Sequence, residues 1–167
     1  DPCLDVVGHR IPNYFVDRDS LDNKDELTNI GVLARDMADD EALIIFPEGT
    51  RFSEEKLAKA IAALSETAPT RVKSASELRS VLPPRTAGTL AALAESNADI
   101  VICNHVGISD ISSLQQLRAA VPLQTQLKFK LWRTPRSEVN QTQFVQWLDA
   151  QWAIVDDWVT NNEDVTS

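Results

Sequence analysis

Histidine and cysteine are scarce, with two of each in 167 residues. His9, His105, Cys3 and Cys103 give no metal-ligand spacing, so a metal site is not expected. The two cysteines are separated by most of the chain, and free thiols in a reducing compartment are the default reading. Positive charge is also short: 16 Lys and Arg face 25 Asp and Glu, a formal net charge of -9. That balance argues against nucleic-acid binding, which is built on phosphate neutralisation. Any anionic substrate must be held by local cations. No apolar stretch is long enough to span a bilayer, and there are no internal repeats. Apolar side chains, by contrast, make up 43% of the chain, enough for a substantial core at single-domain length.

Helical and extended patterns alternate. Asn23 and Glu26 form a capping-box-like pair ahead of Leu27, Ile30, Leu33 and Met37, which mark one face of a helix. Ala42 to Phe46 is continuous and apolar, the pattern of a buried strand. Ser53, followed by Glu54 and Glu55, starts a helix in which Leu57, Ala60, Ile61 and Leu64 recur at helical spacing. The polar stretch from Ala68 to Ser76 and the Pro83-Pro84 break predict a loop-rich excursion. Beyond it, Thr89 to Glu95 reads as helix, Ile100 to Cys103 as a second buried strand, and Ser112 to Ala120 as helix. Leu127, Phe129 and Leu131 alternate with Lys128, Lys130 and Trp132, predicting a strand with the first set buried and the lysines outward as edge protection. The longest helical pattern places Phe144, Leu148, Trp152, Val155 and Val159 on one face, with Trp147 and Trp158 beside it, a stripe suited to packing on a sheet. The fold class expected is α/β, a mixed sheet flanked by helices, with residues 161–167 a disordered tail.

The run Phe46-Pro47-Glu48-Gly49-Thr50-Arg51 lies between the first predicted strand and the Ser53 helix. In open α/β sheets the carboxyl end of a strand is where ligands bind. Gly49 permits close approach of a ligand to the backbone. Arg51 presents a planar, permanently charged fork that matches two phosphate oxygens at once. Glu48 either holds that arginine or meets an acceptor hydroxyl. A specified run of this length is expected by chance in such a chain on the order of once in a million.

This run resembles a signature of the glycerophospholipid acyltransferases, the family that includes lysophosphatidic acid acyltransferase. Phe15-Val16-Asp17-Arg18 is similar to the family's preceding block, whose arginine contacts the acceptor phosphate, and it stands a family-like distance upstream. Leu82-Pro83-Pro84-Arg85, Gly88-Thr89-Leu90, His105-Val106-Gly107 and Leu131-Trp132-Arg133 follow in an order similar to one bacterial branch. The resemblance implies an incomplete acyltransferase domain over residues 1–160, glycerol-phosphate acyltransferase-like. Its acceptor-phosphate site would comprise Arg18, Glu48, Gly49, Thr50 and Arg51.

The family's His-x-x-x-x-Asp catalytic pair precedes the signature, and nothing upstream here fits it. Asn104-His105-Val106-Gly107-Ile108-Ser109-Asp110 carries the letters but in the wrong order, and such a match arises by chance about one time in five or six. His105 therefore reads as a structural residue at a strand end, with His105 and Asp110 a weaker catalytic alternative. Opening on Asp1-Pro2-Cys3, the chain reads as a fragment whose dyad is expected upstream.

What the resemblance implies is transfer of a fatty acyl group from acyl-CoA or acyl carrier protein to the free hydroxyl of a lysophospholipid or glycerol phosphate. No cofactor is implied beyond that co-substrate. The expected setting is a membrane surface on its cytoplasmic face. The alternative is a non-catalytic phosphate- or lipid-binding module.

Overall fold

The computed structural model describes residues 24–107, 114–119, 121–122 and 126–163. In chain order its elements are α1 (Lys24–Arg35), α2 (Glu54–Thr67), α3 (Val72–Ser76), α4 (Ala87–Glu95), β1 (Ile100–Val106), α5 (Leu114–Ala119), β2 (Lys128–Thr134) and α6 (Phe144–Glu163). The content is broadly α/β, with helices beside a two-stranded antiparallel sheet. The chain divides into two compact units: Asp1–Pro47 with Arg85–Ala98, and Glu48–Pro84 with Asp99–Ser167.

In the first unit α1 packs against α4. The acidic first turn (Asp25, Glu26) and basic last residue (Arg35) of α1 match the helix dipole. Leu27, Ile30 and Leu33 are half-buried as the periodicity predicts, but Gly31 and Ala34 are the buried contact residues. The helices approach so closely that a Cβ at Gly31 would lie 3.2 Å from Glu95 Cγ, and one at Gly88 would lie 3.3 Å from Ile30 Cδ1. Arg35 Nε donates to Glu95 Oε2 at 2.8 Å on the rim of this pair.

The expected strand at Ala42 to Phe46 does not form. Leu43 and Ile45 are half-buried while Ile44 and Phe46 are 76% and 82% exposed. The alternation is that of a strand, but a strand needs a hydrogen-bonded neighbour, and among the described residues only β1 and β2 pair.

In the second unit α2 begins as predicted, with the Ser53 side chain accepting from Lys56 N at 3.3 Å. Leu57, Ala60, Ile61 and Leu64 are its half-buried positions. The predicted excursion at 68–76 is instead a 3-10 turn (Pro69–Arg71) running into α3, and Val81 to Pro84 are buried. All five stripe residues predicted for α6 are buried, along with Asp156. Large apolar side chains in such a stripe contribute about 1.5–3 kcal/mol each. The helix runs through Glu163, taking in the first three residues of the expected tail.

β2 is a strand, but its faces are the reverse of the prediction. Phe129 and Leu131 are 60% and 61% exposed, whereas Lys128, Lys130 and Trp132 are half-buried. The register sets Val106, Asn104 and Ile102, all buried, opposite Lys128, Lys130 and Trp132. Because side chains alternate with period two, this choice of phase turns Phe129 and Leu131 outward. Trp132 is the large anchor of the inner face, and its indole N–H donates to Gln151 Oε1 of α6 at 2.7 Å. Lys130 lays its stem along that surface with Nζ 5.3 Å from the Trp132 ring centroid.

Candidate functional site

The signature run folds as a turn followed by a helix. Pro47 and Glu48 make the turn, and Gly49 follows with φ of 69°, the left-handed region that favours glycine. Thr50 and Arg51 are exposed. From the first turn of α2, Lys56 Nζ reaches back to donate to Thr50 Oγ1 at 3.1 Å and to the Arg51 carbonyl at 3.0 Å. The helix part of the predicted strand-to-helix setting is therefore present, and the strand part is not.

Glu48 points away from the exposed end of the run. Its Oε2 accepts from the backbone N–H of Leu82 at 3.0 Å and its Oε1 from the indole N–H of Trp152 at 3.3 Å. Burial pushes this carboxyl above its ordinary range, the two hydrogen bonds oppose the shift, and nearby Asp156 adds to it. The neighbouring Pro47 carbonyl accepts from Arg85 N at 2.9 Å. The Pro47-Glu48 step is thus bonded to Leu82 and Arg85, the two ends of the Leu-Pro-Pro-Arg block.

Two further carboxylates hold the surroundings of Glu48. Asp156 Oδ1, buried in α6, accepts from three successive backbone amides: Arg79 at 2.8 Å, Ser80 at 2.7 Å and Val81 at 3.2 Å. Leu82 then turns its amide to Glu48, so four consecutive N–H groups are satisfied by two acidic side chains. Asp149 of α6 takes a bidentate pair from Arg71, Nε at 2.8 Å and Nη2 at 2.6 Å, with both side chains little exposed. Arg71 Nη2 also donates to the Pro84 carbonyl at 2.8 Å. A small cleft beside this pair is lined by Leu78, Pro83, Pro84 and Trp152.

Glu48, Gly49, Thr50 and Arg51 are together by continuity of the chain. Arg18 and Asp110 lie outside the described residues. His105 sits in β1 on its exposed side, its ring centroid 6.0 Å from that of Phe129. Cys103, expected in a buried strand, is on the same exposed side as a free thiol. The inner side of β1 holds Asn104, buried, with neither side-chain polar atom hydrogen-bonded among the described residues. No cluster of three or more His, Cys, Asp and Glu among the described residues could hold a metal ion.

The sequence did not point to Lys56, Leu82 or Trp152 as neighbours of the run. Trp152 reads correctly as a core residue, but its partner stands 104 positions away and leaves no local signal. No family model matches the chain, and neither does any curated protein or solved structure.

Proposed function

We propose that the Gly49–Arg51 turn binds the phosphate of a glycerol-phosphate acceptor, and that the chain serves acyl transfer. The group moves from acyl-CoA or acyl carrier protein to the free hydroxyl of a lysophospholipid or glycerol phosphate, as from 1-acyl-glycerol-3-phosphate to phosphatidic acid. A mixed sheet of the glycerol-phosphate acyltransferase kind and a membrane surface as the working site belong to the same proposal. No helix among the described residues is long and apolar enough to cross a membrane.

The observation that carries the reading is the six-residue run itself, folded with Gly49 at positive φ and Arg51 exposed ahead of a capped helix. The Arg51 guanidinium is a planar, permanently charged fork whose geometry matches two phosphate oxygens at once. Fixing the phosphate fixes the acceptor hydroxyl relative to the thioester, which lowers the entropic part of the barrier. The hydroxyl oxygen bonds to the thioester carbon, the carbon–sulfur bond breaks, and the thiol leaves. The proton passes to a base, which the resemblance implies is a histidine oriented by an aspartate. Neither His105 nor a residue of the turn is assigned that part.

Acyl transfer from acyl-CoA to 1-acylglycerol 3-phosphate tests the reading. Arg51→Ala is expected to raise the acceptor's KM far more than the donor's. Equal effects on the two substrates count against a phosphate role for Arg51.

A further inference from the structure

We infer that Trp152 is a positioning residue for the Gly49–Arg51 turn, acting through the Glu48 side chain. The inference rests on the reading of that turn as a phosphate site. It adds a residue that neither the run nor its resemblance indicates.

The geometry places a half-buried anchor, Glu48, immediately before the most pliable residue of the run. Gly49 has the widest conformational freedom of any residue type, so the direction in which Thr50 and Arg51 leave it depends on what holds its neighbours. On the upstream side Glu48 is held by the Trp152 indole and the Leu82 amide. Downstream, Thr50 and the Arg51 carbonyl are held by Lys56. Trp152 itself is 8% exposed and lies in the buried stripe of α6 between Leu148 and Val155. A side chain locked in a helix core is a more exact reference than a loop contact. With both oxygens of Glu48 engaged by N–H donors, its part in the site is to fix the turn rather than to meet the acceptor hydroxyl.

The test uses the whole chain, glycerol 3-phosphate as probe, and melting temperature as the control for folding. Trp152→Phe keeps an aromatic ring in the core while deleting the N–H donor together with part of the indole's buried volume, so the melting temperature is read beside the affinity. It is expected to weaken glycerol 3-phosphate binding about three- to tenfold, the range for one hydrogen bond. Glu48→Gln should weaken binding similarly, because its single amide oxygen cannot replace both carboxylate oxygens. The double variant should bind no worse than the weaker single one, the non-additivity of residues acting in series. The indole N–H resonance of Trp152 is expected to move on Glu48→Gln and again as wild-type protein fills with probe. If Trp152→Phe does not fold, Glu48→Gln and the indole resonance carry the test. Wild-type affinity in folded Trp152→Phe, or in folded Glu48→Gln, overturns the positioning role provided Arg51→Ala has lost binding. Failure of wild-type protein to bind, or full binding by Arg51→Ala, overturns the phosphate reading and this inference with it.

Discussion

Glu48 and Trp152 stand 104 residues apart and are joined by a hydrogen bond of 3.3 Å from the indole N–H to the carboxylate. Through this bond the acidic residue of the signature run is tied to the middle of the longest helix. The same carboxylate takes the Leu82 amide, and Asp156 takes the three amides before it. The run therefore stands on a segment whose backbone is pinned to α6.

The half-buried Glu48 carboxyl gives stability a defined dependence on pH. Its folded-state pKa is raised above 4.5, chiefly by burial, so the folded chain holds this proton more tightly than the unfolded chain. The stability it contributes is fully present below 4.5 and falls as pH rises through the folded pKa. Asp99 acts in the opposite sense: the Arg136 amide and the Arg133 guanidinium lower its pKa, so its contribution is present above 3.8 and lost on acidification. Because Asp99 works the other way, the Glu48 contribution is read as a difference: the melting temperature of wild-type protein relative to Glu48→Gln should fall as pH rises across the acid range. An unchanged profile in that variant would contradict the assignment.

Asp156→Ala should be among the most damaging single changes in the second unit. It strips the acceptor from three backbone amides, and a buried donor left unsatisfied costs about 1–3 kcal/mol. Arg79 also approaches Asp156, at 3.5 Å, but its side chain is 59% exposed. Its removal should cost less than about 1 kcal/mol. Urea unfolding of the two variants separates a backbone role for Asp156 from a simple ion pair.

The Arg71–Asp149 pair is expected to be costly to break and cheap to replace. Arg71→Met alone leaves a carboxylate that is 13% exposed without its partner, at a cost of about 3–5 kcal/mol. Adding Asp149→Leu should recover much of that loss. A double variant no more stable than the single one would place the importance of Arg71 in its bond to the Pro84 carbonyl.

The orientation of β2 can be read by substitution. Leu131→Thr, on the exposed side, should change stability by no more than about 0.5 kcal/mol. Trp132→Ala, which removes the inner anchor and its bond to Gln151, should cost about 2 kcal/mol or more. The reverse ranking would restore the orientation expected from the sequence. On the inner side, Asn104→Val should raise the melting temperature, since it removes a buried amide with no hydrogen-bond partner among the described residues.

What was legible in the sequence was local. The α6 stripe could be read because a helix supplies its own hydrogen bonds, leaving only the 3.6-residue period to be seen. Ser53 capped α2 for the same reason, its partner being three residues away. The Ala42 to Phe46 run failed as a strand because strands depend on a neighbour the local pattern does not specify. In β2 both sets of alternating residues contain an apolar anchor, Phe129 and Leu131 on one side and Trp132 on the other, so the period was evident and the phase was not. The helical turn at 69–76 reads as loop because its tie, Arg71 to Asp149, spans 78 positions. Glu48 stands out in the sequence as part of its run, but its partners Leu82 and Trp152 are set by the tertiary fold.

The central claim is that Arg51 presents a phosphate-binding fork at the Gly49 turn. Calorimetric titration of glycerol 3-phosphate, with glycerol as the phosphate-free control, tests it most directly. Wild-type protein should bind glycerol 3-phosphate and not glycerol, and folded Arg51→Ala should bind about tenfold or more weakly, the loss for hydrogen bonds to a charged group. Equal affinity of the two proteins, or equal binding of glycerol and its phosphate, would contradict the account.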